Sequence, residues 1–140
     1  MNRFFFYFII FSLISFNLYS KDNLKFFNLG KENFKNKNFD KAKINFEKDI
    51  VRNTKNQESY LYLAKIHNIK KNNPEFEKNL NTVLLLDPKN EEALYLLIKK
   101  KIKDADYDIA KSKYDLFKKI CSNMCLKKEE IKKLLKKNKS

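Results

Sequence analysis

Turn-forming residues are scarce in this chain, which has one glycine and two prolines in 140 residues. A β-rich fold needs many tight turns, and Gly and Pro are the residues that make them, so that class is excluded. Histidine occurs once, as His67. An acid–base or nucleophile-activating histidine works only with partners at fixed geometry, and none is patterned around it. There is no Gly-rich phosphate loop, no HExxH and no CxxC pair, so the sequence offers no catalytic residues and no cofactor or metal site. The two cysteines, Cys121 and Cys125 in the stretch CSNMC, are too few for zinc with one distant histidine. Arginine is confined to Arg3 and Arg52.

What the chain has in quantity is lysine, and its formal net charge is +14. A charge of that size ordinarily points to nucleic acid or an anionic surface. Lys, Asn, Phe, Ile and Tyr are abundant together, however, and share A/T-rich codons. The lysine count is therefore discounted as a functional signal, and nucleic acid is not an expected partner. With 43% hydrophobic and 34% charged residues, the composition is that of a globular chain. Its length suits one small domain.

Residues 1–20, MNRFFFYFIIFSLISFNLYS, stand apart. Arg3 precedes an apolar run from Phe4 to Phe16 and a short polar end. That order is the pattern of a secretory signal peptide cut after Ser20. The alternative is an uncleaved membrane anchor, although the run is shorter than the ~20 residues a spanning helix needs. A lipid-acceptor Cys would follow the apolar run directly, and the first cysteine is Cys121, so no lipid anchor is expected. Both readings place the rest of the chain outside the cytoplasm, periplasmic or membrane-associated.

From Phe26 onward the apolar residues recur every three to four positions. Phe26, Leu29 and Phe34 mark one helical face, and Phe39, Ala42, Phe46 and Ile50 mark a second. Lys35-Asn36-Lys37-Asn38 between them reads as a turn. Gly30 falls inside the first helix, where it costs about 1 kcal/mol relative to Ala and so implies close approach of another element. The pattern then repeats without a gap at a spacing of 34 residues. Phe26, Leu29 and Gly30 become Tyr60, Leu63 and Ala64, then Leu94, Leu97 and Ile98. Ala42 becomes Phe76 and Ala110; Phe46 becomes Leu80 and Tyr114. Pro88, within LLLDPKN, closes the second unit.

These positions resemble the tetratricopeptide repeat (TPR) family, whose 34-residue unit carries a bulky residue, Leu-Gly, an aromatic, Ala, an aromatic and a final Pro. The resemblance covers about 100 residues, with repeats at about 23–56, 57–90 and 91–124. It implies an all-α fold, a right-handed superhelix of three helical hairpins. Gly30, Ala42, Phe46, Ala64, Pro88, Ala110 and Tyr114 would hold structural positions, with Gly30 and Ala42 meeting where two helices cross. The expected helices are 22–36, 39–53, 57–71, 74–87, 91–104, 107–121 and 126–138. The last repeat needs a cap, and Lys-rich residues 126–140 supply one, with an apolar stripe of Leu126, Ile131, Leu134 and Leu135.

The resemblance also implies a concave groove lined by the first helix of each repeat. Carried onto this sequence, the groove positions include Phe27, Lys31, Phe34 and Lys35; Leu61, Tyr62, Lys65, Asn68 and Ile69; and Tyr95, Leu96, Lys99, Ile102 and Lys103. Lys31, Lys65 and Lys99 recur in phase beside Phe27, Tyr62 and Tyr95, an arrangement suited to an acidic peptide or else a solvated lysine row. The family's clamp for chaperone carboxyl termini is absent, because its positions hold Phe27, Lys31, Tyr62, Glu92 and Leu96. His67 falls at a packing position of the repeat. Cys121 and Cys125 leave open a disulfide joining repeat three to the cap, or two free thiols. Asp104, Asp106 and Asp108 lack the other ligands and the glycine of a calcium loop and read as acids at a helix start. The expected function is a non-enzymatic, exported adaptor that holds another envelope protein or peptide. The alternatives are a role in outer-membrane protein assembly, or attachment of the Lys-rich helix to an anionic membrane.

Overall fold

The structure, a computed structural model, describes residues 24–137, so the expected signal peptide lies outside the described residues. All regular structure among the described residues is helical. In chain order the helices are α1 (Lys25–Lys35), α2 (Phe39–Arg52), α3 (Gln57–Ile69), α4 (Asn73–Leu86), α5 (Glu91–Lys103), α6 (Tyr107–Ile120) and α7 (Lys127–Lys137). No helix among them is long and apolar enough to cross a membrane. The chain divides into two compact units, Met1–Ser59 and Tyr60–Ser140.

In the first unit α1 and α2 form a hairpin with Phe27, Gly30, Ala42 and Phe46 buried. The Phe27 and Phe46 rings are 6.1 Å apart and tilted by 58°. Gly30 meets the face of Phe46: a Cβ on it would stand 2.6 Å from a ring carbon. The nearest neighbour of Gly30 is thus the Phe46 ring. The glycine is there because a six-membered ring occupies the space of its side chain. Asp49, one turn beyond Phe46, is buried as well. Its Oδ2 accepts hydrogen bonds from Ser59 Oγ at 2.6 Å and Asn56 Nδ2 at 2.7 Å. The carboxylate thereby fixes the linker 53–56 and the first residues of α3. The repeat places Asp49 in phase with Val83 and Phe117, both apolar, so the period gives no warning of it.

The turn inside each hairpin has one geometry. Lys37, Lys71 and Ala105 adopt φ of 59°, 58° and 61°, the left-handed region, at positions 34 residues apart. In the first turn the Lys37 N–H donates to Phe34 O at 3.0 Å and the Asn38 N–H to Asn33 O at 2.8 Å. The same two-bond closure recurs at Lys71 and Asn72, and at Ala105 and Asp106. It satisfies carbonyls that the helix end leaves open.

In the second unit two adjoining clusters form the core. One joins Leu61, Ala64, Phe76, Leu80, Val83, Ala93 and Leu97. The bulky Phe76 and the small Ala64 belong to this same cluster. The other joins Leu94, Tyr95, Ile98, Ile102, Ala110, Tyr114, Phe117 and Ile131. Asn72 and Asn90 cap α4 and α5, with Asn90 Oδ1 accepting from the Ala93 N–H at 2.9 Å. Helix α7 turns its apolar stripe inward, with Ile131 fully buried and Leu134 and Leu135 packed on the second cluster. Leu126 departs from the expected stripe: it precedes α7 and is 94% exposed.

The α6–α7 connection is tied down twice. Cys121 and Cys125 are disulfide-bonded, with Cα atoms 5.3 Å apart. The Glu91 carboxylate, at the start of α5, accepts from Ser122 Oγ at 2.7 Å and from the N–H groups of Ser122, Asn123 and Met124 at 2.7–3.2 Å. Desolvation pushes the Glu91 carboxyl up, but these four donors together outweigh it and hold its pKa at about 2.

Candidate functional site

Within the second unit α3, α4, α5, α6 and α7 all contribute walls to one cavity of about 550 Å³. Asn68, Leu96, Lys99, Ile102 and Lys103, five positions carried over from the repeat pattern, line it together. Phe76, Asn73, Lys100, Tyr107 and Leu134 complete the lining, and the repeat pattern does not mark them as groove positions. Leu134 belongs to α7, so the expected cap is also a wall of the cavity. The helical period explains the placement. Leu96, Lys99 and Lys103 fall at intervals of three and four on α5, which sets them on one face. The result is an apolar floor of Phe76, Leu96, Ile102 and Leu134 under a rim of lysines and amides.

The lysines differ in what they are free to do. Lys65 pairs with Glu92 on α5 at 2.8 Å. Lys99 repeats that link one repeat further on, pairing with Glu130 of α7 at 3.2 Å. Tyr95 donates its phenolic O–H to the same carboxylate at 2.6 Å, and Lys127 pairs with it at 3.0 Å. The Tyr95 hydrogen bond first, then those from Lys127 and Lys99, hold the Glu130 carboxyl at about 2 against desolvation. Lys99 rises correspondingly, chiefly through its hydrogen bond to Tyr95. Lys100 is buried and paired with Asp104, while Lys101 pairs with Glu77 at 2.6 Å and Asp106 at 3.6 Å. Among the described residues Lys103 makes no ion pair and is exposed at the cavity rim. The basic row thus links α3 to α5 and α5 to α7 at two of its rungs, and of the lysines lining the cavity Lys103 is the one with no ion pair among the described residues.

Several expected groove residues lie elsewhere. Phe27 is buried against Phe46, with Lys31 Nζ 5.2 Å from its ring centre. Phe34 packs edge-on against Phe39 across the turn at 5.5 Å, and Lys35 is exposed at the end of α1. Leu61 lies in the core, Tyr62 lies under Lys65 at 5.0 Å, and Ile69 is half exposed. Tyr95 is buried and committed to Glu130. Phe27, Leu61 and Tyr95 therefore serve packing first, because helices this close leave their rings and branches no open face. His67 is buried in α3. Among the described residues no three His, Cys, Asp or Glu side chains stand close enough to hold a metal ion.

No family model matches the sequence, and no curated protein matches it. Its structure is similar to that of the TPR2B domain of yeast Sti1 in complex with pHsp70. The TM-score is 0.71 at 20% identity, over 84% of this chain and 95% of that one. It is also similar to the type III secretion chaperone SycD of Yersinia enterocolitica in complex with a peptide of the translocator YopD. There the TM-score is 0.70 at 14% identity, over 82% of this chain and 90% of that one. The fold is TPR-like.

Proposed function

We propose that the chain is a non-enzymatic peptide-binding adaptor, exported from the cytoplasm, that holds a segment of another envelope protein in the cavity of its second unit. The observation that carries this reading is the cavity itself: a floor of Phe76, Leu96, Ile102 and Leu134 beneath Lys103, which makes no ion pair among the described residues. Apolar concavities with a few placed polar groups are the usual form of a binding site. The two similar structures, each solved with a bound protein or peptide, support a peptide as the occupant. The lining favours a segment whose apolar side chain is flanked by a carboxylate. The apolar group fills the floor, and the carboxylate meets Lys103 while Asn68 and Asn73 meet the peptide's own polar groups.

Fluorescence anisotropy with two labelled peptides tests this reading. One has leucines flanked by glutamates, and the other is the same peptide with lysines in place of the glutamates. The acidic peptide should bind, and Lys103→Glu should weaken it about tenfold, the value of one charge-assisted contact. Equal binding of both peptides, or no effect of Lys103→Glu, would remove the reading.

A further inference from the structure

A second cavity lies between α6 and α7, separated from the first by Tyr107, which lines both. Its volume is about 310 Å³. Tyr114 and Leu135 give it an apolar wall, and Lys111, Lys118, Lys132 and Lys136 surround that wall. Tyr114 is fixed in place: its hydroxyl donates to Lys128 O at 3.2 Å, which ties α6 to α7 at the edge of the cavity. Lys118 is neutralised by Asp115 at 2.8 Å and lies 5.1 Å from the Tyr114 ring centre. Asp108 is the other acid in the lining among the described residues. Four lysines against two aspartates leave two cations in excess. Among the described residues Lys111, Lys132 and Lys136 make no ion pair of their own, although Asp115, held down chiefly by its hydrogen bond from Lys118, also feels the Lys111 charge.

Lys132 and Lys136 stand four apart on one helix face, where like charges repel. Such an arrangement is relieved by an anion. Lysine serves phosphate well as a mobile point charge. The volume is near the lower end of the ~300–1,000 Å³ typical of small-ligand sites.

We propose that this trough binds an amphiphilic phosphate: a phosphoryl group held by Lys111, Lys132 and Lys136, with its apolar body against Tyr114 and Leu135. The site is independent of the peptide reading. The same chemistry is presented by an anionic phospholipid in a bilayer and by a soluble phosphate ester with an apolar tail.

The probe that isolates the site is dihexanoyl phosphatidate, titrated into the full-length protein by calorimetry. Dihexanoyl phosphatidylcholine and inorganic phosphate serve as controls. Phosphatidate should bind better than either, more weakly at ~200 than at ~50 mM salt, and about tenfold or more weakly to the Lys111→Gln/Lys132→Gln/Lys136→Gln variant. Glutamine keeps the helix propensity, and Lys113→Gln, outside the trough, should change nothing. Co-sedimentation with phosphatidylcholine vesicles, with and without phosphatidate, then identifies the source. Capture by the acidic vesicles assigns the site to a membrane lipid. Binding of the soluble probe without vesicle capture assigns it to a soluble ester. Phosphatidate affinity equal in wild type and triple variant, or no greater than that of phosphate, would overturn the proposal. So would a wild-type NMR titration that leaves Tyr114 and Leu135 unshifted, a result that does not depend on the variant folding.

Discussion

Replacing Gly30 by alanine sets two effects of opposite sign against each other. In a helix interior the change from Gly to Ala gains about 1 kcal/mol of backbone propensity. Here the new Cβ would stand 2.6, 2.8 and 2.9 Å from three carbons of the Phe46 ring. That ring is wholly buried and backed by Phe27, so it has no free direction in which to yield. Overpacking a filled core costs typically about 1–3 kcal/mol. We therefore expect Gly30→Ala to destabilise by up to roughly 2 kcal/mol after the propensity gain is subtracted. The assay is urea unfolding of the full chain followed by circular dichroism, with the same change made in a Phe46→Leu background. Leucine removes the ring, so Gly30→Ala should become neutral or stabilising there, giving a coupling of about 1–3 kcal/mol between neighbours. If Gly30→Ala raises the stability of the wild-type chain by its full propensity value, the ring does not dictate the glycine and the reasoning fails.

Lys71→Gly should stabilise by about 0.5–1 kcal/mol, because φ of 58° is strained for a side-chain-bearing residue and free for glycine; thermal melts against Asn68→Gly, a helical control that should lose stability, read the sign. Asn90→Ala should cost about 1 kcal/mol through loss of the cap on the Ala93 N–H, measured by denaturant midpoint. Glu91 has a folded pKa of about 2, below its ordinary 4.5. The stability it contributes is complete above about 4.5 and is lost as pH falls toward about 2. Glu91→Gln should therefore flatten the acid side of the stability–pH curve in that window, and an unchanged curve would show that the four donors do not act on the carboxylate.

Much of the fold is legible in the sequence because the chain repeats a simple physical instruction. Apolar residues at three- and four-residue spacing mark each helix, and the polar Lys35–Asn38 run marks the turn that Lys37 closes with a positive φ. A period identifies which positions are equivalent, and it is the resemblance to the TPR family that implies a groove face for Asn68, Leu96, Lys99, Ile102 and Lys103, five residues that line the cavity. It does not say which side chains meet. Gly30 is legible as a close approach, but not as one made by Phe46. Asp49 stands in an apolar register, and only the folded positions of Asn56 and Ser59 show how its charge is accommodated. Lys65 and Lys99 read as a free basic row because Glu92 and Glu130 lie 27 and 31 residues further along, beyond any local pattern. Leu134 is legible as part of a cap stripe, and its second role in lining the cavity depends on where α7 docks.

On the proposed reading an apolar, acidic peptide occupies the cavity walled by α3, α5 and α7. The most direct test is an NMR titration of isotopically labelled full-length protein with the leucine–glutamate peptide. Amide and methyl shifts should concentrate at Asn68, Leu96, Lys99, Lys103 and Leu134, and should fade in the Lys103→Glu variant. Shifts confined to the α6–α7 trough, or an identical response from wild type and variant, would contradict it.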